Sequence, residues 1–384
     1  MAFLKASLPL FLMCLLALPC FADPAKKDHE LVTELIKKKN WAELGKVLRV
    51  NKTISELVIV SQAIDEEGGK AIGEALKKSR TITSFELIQG KTTLPAQKAI
   101  ALGVGANRSL KKLALQGNFF NDQSASAFAT ALTKNKSLEE FTVFSNNLGV
   151  NGLRAIGEAL KKNTPLRSLI IISKVGDSGA EALANGLKEN RHLRKLFMLS
   201  SKIKAIGFEK ISQALEHNTA LKELLLPLNY PGERGTAAIA KLLKVNKTIT
   251  KLDLSNAQLY SKGAKILAEA LKENRTLKDL DLSANYMGQT KHSWDPSARP
   301  DLSGIRALLA AIATNQGLES LTLNHTFWDP DLLVDLGQML EKNKKLKRFI
   351  LERGRINEAG SIAIGKALKV NKTLTELVLS DMRK

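Results

Sequence analysis

Cysteine is nearly absent from this chain of 384 residues, because its two cysteines, Cys14 and Cys20, both lie near the N-terminus. The rest of the sequence therefore predicts no disulfide, no cysteine ligand for a metal and no thiol nucleophile. Aromatic residues make up only 5% of the chain, so its core must be built from aliphatic side chains. No stretch after the N-terminal segment is apolar over a length that predicts a membrane span.

Motifs that carry catalysis or hold a cofactor are also missing. The sequence contains no phosphate-binding loop, no nucleophile elbow and no His-Glu-x-x-His pair. Its five histidines form no recognisable triad. His292 and His325 have aspartates nearby, but their spacing is not that of metal ligands. We therefore predict a protein that is not an enzyme and that needs neither a cofactor nor a metal.

The first 22 residues have the pattern of a secretory signal peptide. A single cation, Lys5, precedes the apolar run Leu8–Leu18, and small residues at Cys20 and Ala22 mark a cleavage site. The pattern predicts cleavage after Ala22 and a secreted or periplasmic protein. Lipidation of Cys20 is the competing interpretation, and the residues just before it do not suit that motif.

A repeated pattern dominates the rest of the chain. It places apolar residues at the first, fourth and sixth positions of a short segment, which predicts a strand. Each copy continues into a stretch with helical spacing, such as Ala155–Leu160. One unit can bury its apolar side only by stacking on its neighbours. The segments recur every 28 residues, with one step of 27 and one of 41, and begin at Ile54, Ile82, Leu110, Leu138, Leu166, Leu193, Leu221, Ile249, Leu277, Leu318, Leu346 and Leu374.

These units resemble leucine-rich repeats of the ribonuclease-inhibitor-like subfamily. Residues 110–118 and 277–285 match that repeat closely, and the resemblance runs from about Trp41 to the C-terminus. It implies an α/β leucine-rich-repeat solenoid, a horseshoe with parallel strands on the concave face and helices on the convex face. Residues 23–50 are expected to form an N-terminal helical cap, and residues 51–384 the repeat domain.

Two sets of asparagines recur with the repeat. One set follows the strand, as is frequent in the family, and turns without it are expected to be less regular; it comprises Asn118, Asn146, Asn229 and Asn285. The other set lies in Asn-x-Ser/Thr sequons between helix and strand, at Asn51, Asn107, Asn135, Asn246, Asn274 and Asn371. The repeat itself accounts for these sequons, so they do not by themselves predict glycosylation.

Strand geometry assigns alternate residues of each copy to the concave face. In the middle of the array these positions carry an apolar block, which consists of Phe144, Ile170, Ile172, Phe197, Leu199, Leu225 and Pro227. An exposed apolar patch predicts a protein-binding site, although large and β-branched residues also suit strands in general. Beside it, Asp253, Asp279 and Asp281 form an acidic zone. This zone is either a surface for a basic partner or a habit of the repeat.

The formal net charge is +20, and many of the cations follow the helices as a basic rim. Such a rim attracts anionic lipid or polysaccharide, but cations are also favoured at helix C-termini by the helix dipole. Few aromatic residues lie among these cations, so nucleic acid is not a predicted partner.

The step of 41 residues contains an insert near 286–301, where a strand passes into a helix. It carries Trp294, and the next repeat carries Phe327 and Trp328 at the same place. Insertions in solenoids often lie on a binding face. The three side chains are therefore predicted to form a recognition knob, with a structural plug between repeats as the alternative.

The sequence as a whole predicts a scaffold that binds another protein through its concave face. Export makes a host factor one class of partner. Two alternatives stay open. Proteins that activate the GTPase Ran use the same repeat subfamily, but no functional residue can be carried over from them. The basic rim would instead suit a structural protein that binds polyanions or the cell envelope.

Overall fold

A computed structural model describes residues 24–117, 119–145, 147–288, 300–326, 332–352 and 356–381. The predicted signal peptide, 1–22, lies outside the described residues. The described part alternates strand and helix along the whole chain, with two helices before the first strand.

The described strands form one twelve-stranded parallel sheet, in which spatial order follows chain order. Each strand pairs in register with the equivalent residues of the next repeat, as Leu57 does with Phe85 and Phe85 with Leu113. The strands of this sheet are β1 Glu56–Val60, β3 Ser84–Ile88, β5 Lys112–Gln116, β6 Glu140–Phe144, β7 Ser168–Ile172, β8 Lys195–Met198, β9 Glu223–Leu225, β10 Lys251–Asp253, β11 Asp279–Asp281, β12 Ser320–Thr322, β13 Arg348–Glu352 and β14 Glu376–Ser380. A second, short parallel sheet joins β2 Ala63–Ile64 to β4 Lys91–Thr92.

The helices pack side by side in a second layer, each against the helix of the next repeat. They are α1 Pro24–Lys37, α2 Trp41–Val50, α3 Glu66–Lys78, α4 Leu94–Ala106, α5 Asp122–Lys134, α6 Val150–Lys162, α7 Gly176–Glu189, α8 Ala205–Leu215, α9 Gly232–Val245, α10 Tyr260–Glu273, α11 Ser303–Thr314, α12 Leu332–Lys342 and α13 Glu358–Val370. No helix in the described ranges has the length and apolar character needed to cross a membrane.

One continuous aliphatic core lies between the two layers, as the repeat pattern predicts. The first, fourth and sixth positions of the strand segment, such as Ile54, Leu57 and Ile59, are buried, whereas the alternate positions face away from the helices. Neighbouring strands lie about 4.8 Å apart and packed helices about 8–10 Å apart. The strand layer is therefore the inner, concave one, and the fold is a leucine-rich-repeat solenoid.

A buried asparagine follows most helices and ties each repeat to the one before it. Asn135 is representative: its Nδ2 donates to the carbonyl oxygen of Val104 (2.7 Å), in the preceding helix. Its Oδ1 accepts from the backbone N–H groups of Ser137 (2.8 Å) and Leu138 (2.7 Å). The same backward hydrogen bond is made by Asn107, Asn163, Asn190, Asn218, Asn246, Asn274, Asn315, Asn343 and Asn371. We call this set the asparagine ladder.

The first rung of the ladder has a different acceptor. Asn51 occupies the equivalent position after α2, and its Nδ2 donates to Oδ2 of Asp28 in α1 at 2.6 Å. The Asp28 carboxylate thus stands in for the carbonyl of a preceding repeat.

Some helices approach each other until their backbones touch. A Cβ atom added to Gly103 of α4 would lie 2.1 Å from the carbonyl oxygen of Gly73 in α3. Only a residue without a side chain allows this approach.

The asparagines that follow strands act similarly on the other side of the sheet. Oδ1 of Asn229 accepts from the N–H groups of Ser201 and Ile203, both at 3.1 Å. Asn118 and Asn146 lie outside the described residues. Where Gly90 takes this place, the backbone of β4 pairs with β2 instead. This turn differs from the asparagine turns, as its sequence predicts.

Candidate functional site

The predicted apolar block occupies the middle of the concave face. Ile170 and Phe197 are neighbours on β7 and β8, and Phe144 and Ile172 are neighbours on β6 and β7. Phe144 is 42% exposed, and Ile170, Ile172, Phe197 and Leu199 are each partly exposed. No described element covers these side chains, so the fold does not account for them.

Two members of the block are less accessible than their sequence positions predict. Leu225 is only 7% exposed, because Phe197 and Asp253 flank it on the neighbouring strands. Pro227 is buried, and it lies beyond the end of β9, where the chain turns. The surface open to a partner is therefore centred on Phe144, Ile170 and Phe197.

Carboxylates border the block on both sides. Towards the N-terminus, burial raises the pKa of Glu86, and the negative charge of Glu56 adds to this effect. Towards the C-terminus, burial raises the pKa of Asp253, and the Asp281 carboxylate adds to this effect against the hydrogen bond from Ser255. The block is thus apolar at its centre and acidic at its ends.

The acidic zone also has a local structural role. Oδ1 of Asp253 accepts from the N–H of Ser255 (2.8 Å), and Oδ1 of Asp281 accepts from the N–H of Ser283 (2.9 Å). Each aspartate closes the turn after its own strand. This supports the interpretation of these aspartates as a habit of the repeat.

Asp253→Asn is expected to stabilise the fold at neutral pH, because the amide oxygen still accepts from Ser255 while the buried charge is removed. A carboxyl whose pKa is raised on folding destabilises the folded state only above its ordinary pKa, and fully above its raised pKa. The gain should therefore grow between about pH 3 and pH 8, as followed by denaturant unfolding. Asp279→Asn is the matched control, because it removes the ion pair with Lys251 (2.7 Å) and should give no gain. An equal gain for Asp253→Asn at both ends of the range would contradict the assignment.

A cavity of about 690 Å³ adjoins Phe144 at the edge of the sheet. Phe119 and Phe144 contribute apolar surface to it, and Gln89 and Gln116 contribute amides. Among the described residues, the buried hydroxyl of Thr92, which lines the same cavity, has no hydrogen-bond partner. The cavity extends the apolar block with groups that can receive polar atoms of a partner.

A tyrosine cluster near the insert was not predicted from the sequence. The chain has only three tyrosines, and they lie in consecutive repeats at Tyr230, Tyr260 and Tyr286. The rings of Tyr260 and Tyr286 stack with centroids 6.1 Å apart, and Tyr230 and Tyr286 are exposed. Tyrosine is enriched in protein interfaces. The signal was present in the composition, since every tyrosine falls next to the one irregular step.

Many residues of the basic rim bind helix C-termini. Arg108 donates to the carbonyl of Asn107 (3.0 Å), Arg191 to that of Lys188 (2.9 Å), and Arg275 to that of Lys272 (2.8 Å). Other members form ion pairs, as Lys161 does with Glu158 and Glu189. These contacts support the explanation of the rim by helix ends.

The predicted recognition knob cannot be placed, since Trp294, Phe327 and Trp328 lie outside the described residues. A search of the described ranges finds no group of His, Cys, Asp and Glu side chains that could hold a metal ion.

The chain matches a known family over two segments. The profile of the family described as Leucine Rich repeat matches residues 106–129 and 134–157. The segments run from the end of α4 into α5 and from the end of α5 into α6, and so each spans one strand and its flanking helices. No curated protein matches the chain significantly. The two matches fit the solenoid, whose repeats suggest a scaffold for protein–protein interaction.

Proposed function

We propose that this chain is an exported leucine-rich-repeat scaffold of the ribonuclease-inhibitor-like kind, which binds a protein partner through the apolar block of its concave face. The observation that carries the proposal is the exposure of Phe144, Ile170 and Phe197 on a face that no described element covers. Contiguous apolar surface of this kind marks interaction sites in soluble proteins.

The surroundings of the block support a protein partner. The block spans β6 to β9, and four strands at about 4.8 Å give a width of roughly 15–20 Å, which suits one helix or two loops. Aromatic side chains at its centre and charged side chains at its border are the usual anatomy of an interface. The tyrosine cluster offers a second contact area nearby. A host protein is the partner class that export favours.

Phe144→Asp/Ile170→Asp should abolish retention of the partner in a pull-down with residues 23–384, because two charges would be buried against an apolar surface. The bait is tested against host-cell lysate and against envelope extract of the source organism. Once a retained protein is identified and purified, its Kd for the double variant should rise at least about tenfold.

The matched control is Ile206→Asp/Val245→Asp, which places the same charges at exposed apolar positions on helices α8 and α9. Tyr230→Ala/Tyr286→Ala tests the tyrosine cluster in the same assay. If wild type and the concave variant retain the same proteins and salt releases them, the basic rim is the binding surface and the proposal is wrong.

A further inference from the structure

The last described repeat exposes positions that are buried elsewhere. β14 pairs only with β13 and is the end of the sheet, so its outer edge has no partner among the described residues. Leu374, Leu377 and Leu379 occupy the core positions of the strand segment, yet each is partly exposed. An unpaired strand with an uncovered apolar side is prone to pair with another strand.

Helix α13 presents an uncovered packing surface beside this strand. Leu368 is 45% exposed, although its equivalents Leu76, Leu160 and Leu340 are fully buried. Ile362 is 50% exposed, at a position where other helices carry cations such as Lys70 and Arg154.

A glycine in α13 shows which kind of neighbour the surface suits. Gly73, Gly157 and Gly337 lie three residues before the buried leucine of their helices, and each packs closely against the next helix. An added Cβ would lie 2.3 Å from the Ala99 oxygen at Gly73. At the equivalent Gly365, an added Cβ would meet nothing within 4 Å. Glycine is unfavourable inside a helix unless a close neighbour requires it, so this surface is suited to close contact with another helix.

We infer that the end face formed by α13 and β14 binds the same face of a second copy of this chain. A two-fold axis between the copies sets α13 antiparallel to α13 and β14 antiparallel to β14. With the axis at Gly365, Ile362 lies opposite Leu368 of the second copy. With the same axis at Val378, Leu377 lies opposite Leu379 of the second copy.

The charges on this face fit the arrangement. Glu358 begins α13 and Lys372 follows its end, so the antiparallel arrangement brings Glu358 opposite Lys372 of the second copy. A two-fold interface requires such self-complementarity. The acid at one end, the cation at the other and the glycine between them provide it.

Sedimentation equilibrium of residues 23–384, from about 1 to 100 µM, tests the inference. The wild type should form a dimer, and Ile362→Asp should raise the dimer Kd by about tenfold or more. Ile206→Asp, at a similarly exposed position on α8, is the matched control and should leave the Kd unchanged. Circular dichroism verifies that each variant is folded.

A charge exchange separates this interface from any other. Glu358→Lys and Lys372→Glu should each weaken the dimer, and the double variant should restore it. A wild type that stays monomeric at about 100 µM overturns the inference. A dimer that resists Ile362→Asp but is dissociated by Phe144→Asp also overturns it, since the concave face would then be the contact.

Discussion

Replacing Asn135 with alanine is expected to lower the free energy of unfolding by about 3–5 kcal/mol, the largest effect we expect from one side chain in the ladder. The side chain is fully buried, and alanine would leave the Val104 carbonyl and the N–H groups of Ser137 and Leu138 without their partner. Each buried polar group left unpaired costs about 1–3 kcal/mol. Chemical unfolding monitored by circular dichroism measures the loss.

Asn185→Ala is the control for this prediction, because Asn185 is exposed on α7 and lies outside the ladder. It should change the free energy of unfolding by less than about 0.5 kcal/mol. Asn135→Asp keeps the acceptor atom and loses the donor, so it should also destabilise the fold. A loss below about 1 kcal/mol for Asn135→Ala would show that water replaces the lost hydrogen bonds.

Gly103→Ala and Gly365→Ala are expected to change stability in opposite directions, although both replace glycine inside a helix. Alanine is the better helix former by about 1 kcal/mol. At Gly103 the new methyl group would lie 2.1 Å from the Gly73 carbonyl oxygen, so α3 and α4 must separate, at a cost of about 2–4 kcal/mol. At Gly365 the methyl group meets nothing, so a gain of about 0.5–1 kcal/mol should remain.

The two variants are compared by thermal and denaturant unfolding at low protein concentration, where self-association through α13 contributes little. The opposite signs are the decisive result. If both variants stabilise the chain, the close approach of α3 and α4 is not a constraint on the sequence.

The sequence predicts the architecture well, for a physical reason. A strand with one covered face needs apolar residues at alternate positions, and Ile54, Leu57 and Ile59 show this pattern in every copy. Because neighbouring copies have the same length, their strands also pair in register. Burial and topology could therefore be predicted from spacing alone.

The candidate site could be predicted only in part. The concave position of Phe144 and Ile170 follows from alternation, but the burial of Leu225 and Pro227 depends on neighbouring strands and on where β9 ends. The tyrosine cluster depends on how consecutive turns stack, which a linear pattern does not specify. The role of Asn135 and its equivalents was also missed, because the sequon offered a simpler interpretation of the same recurring letters.

The asparagine ladder gives the solenoid a direction in time. Each asparagine donates backwards, to a carbonyl of the repeat that precedes it, about 31 residues earlier in the chain. During synthesis or passage through a translocation channel, a newly emerged helix therefore keeps an unsatisfied end until its successor arrives. Assembly is then vectorial, from the N-terminus onward and one repeat behind the emerging chain, and Asp28 lets the first unit be completed without any predecessor.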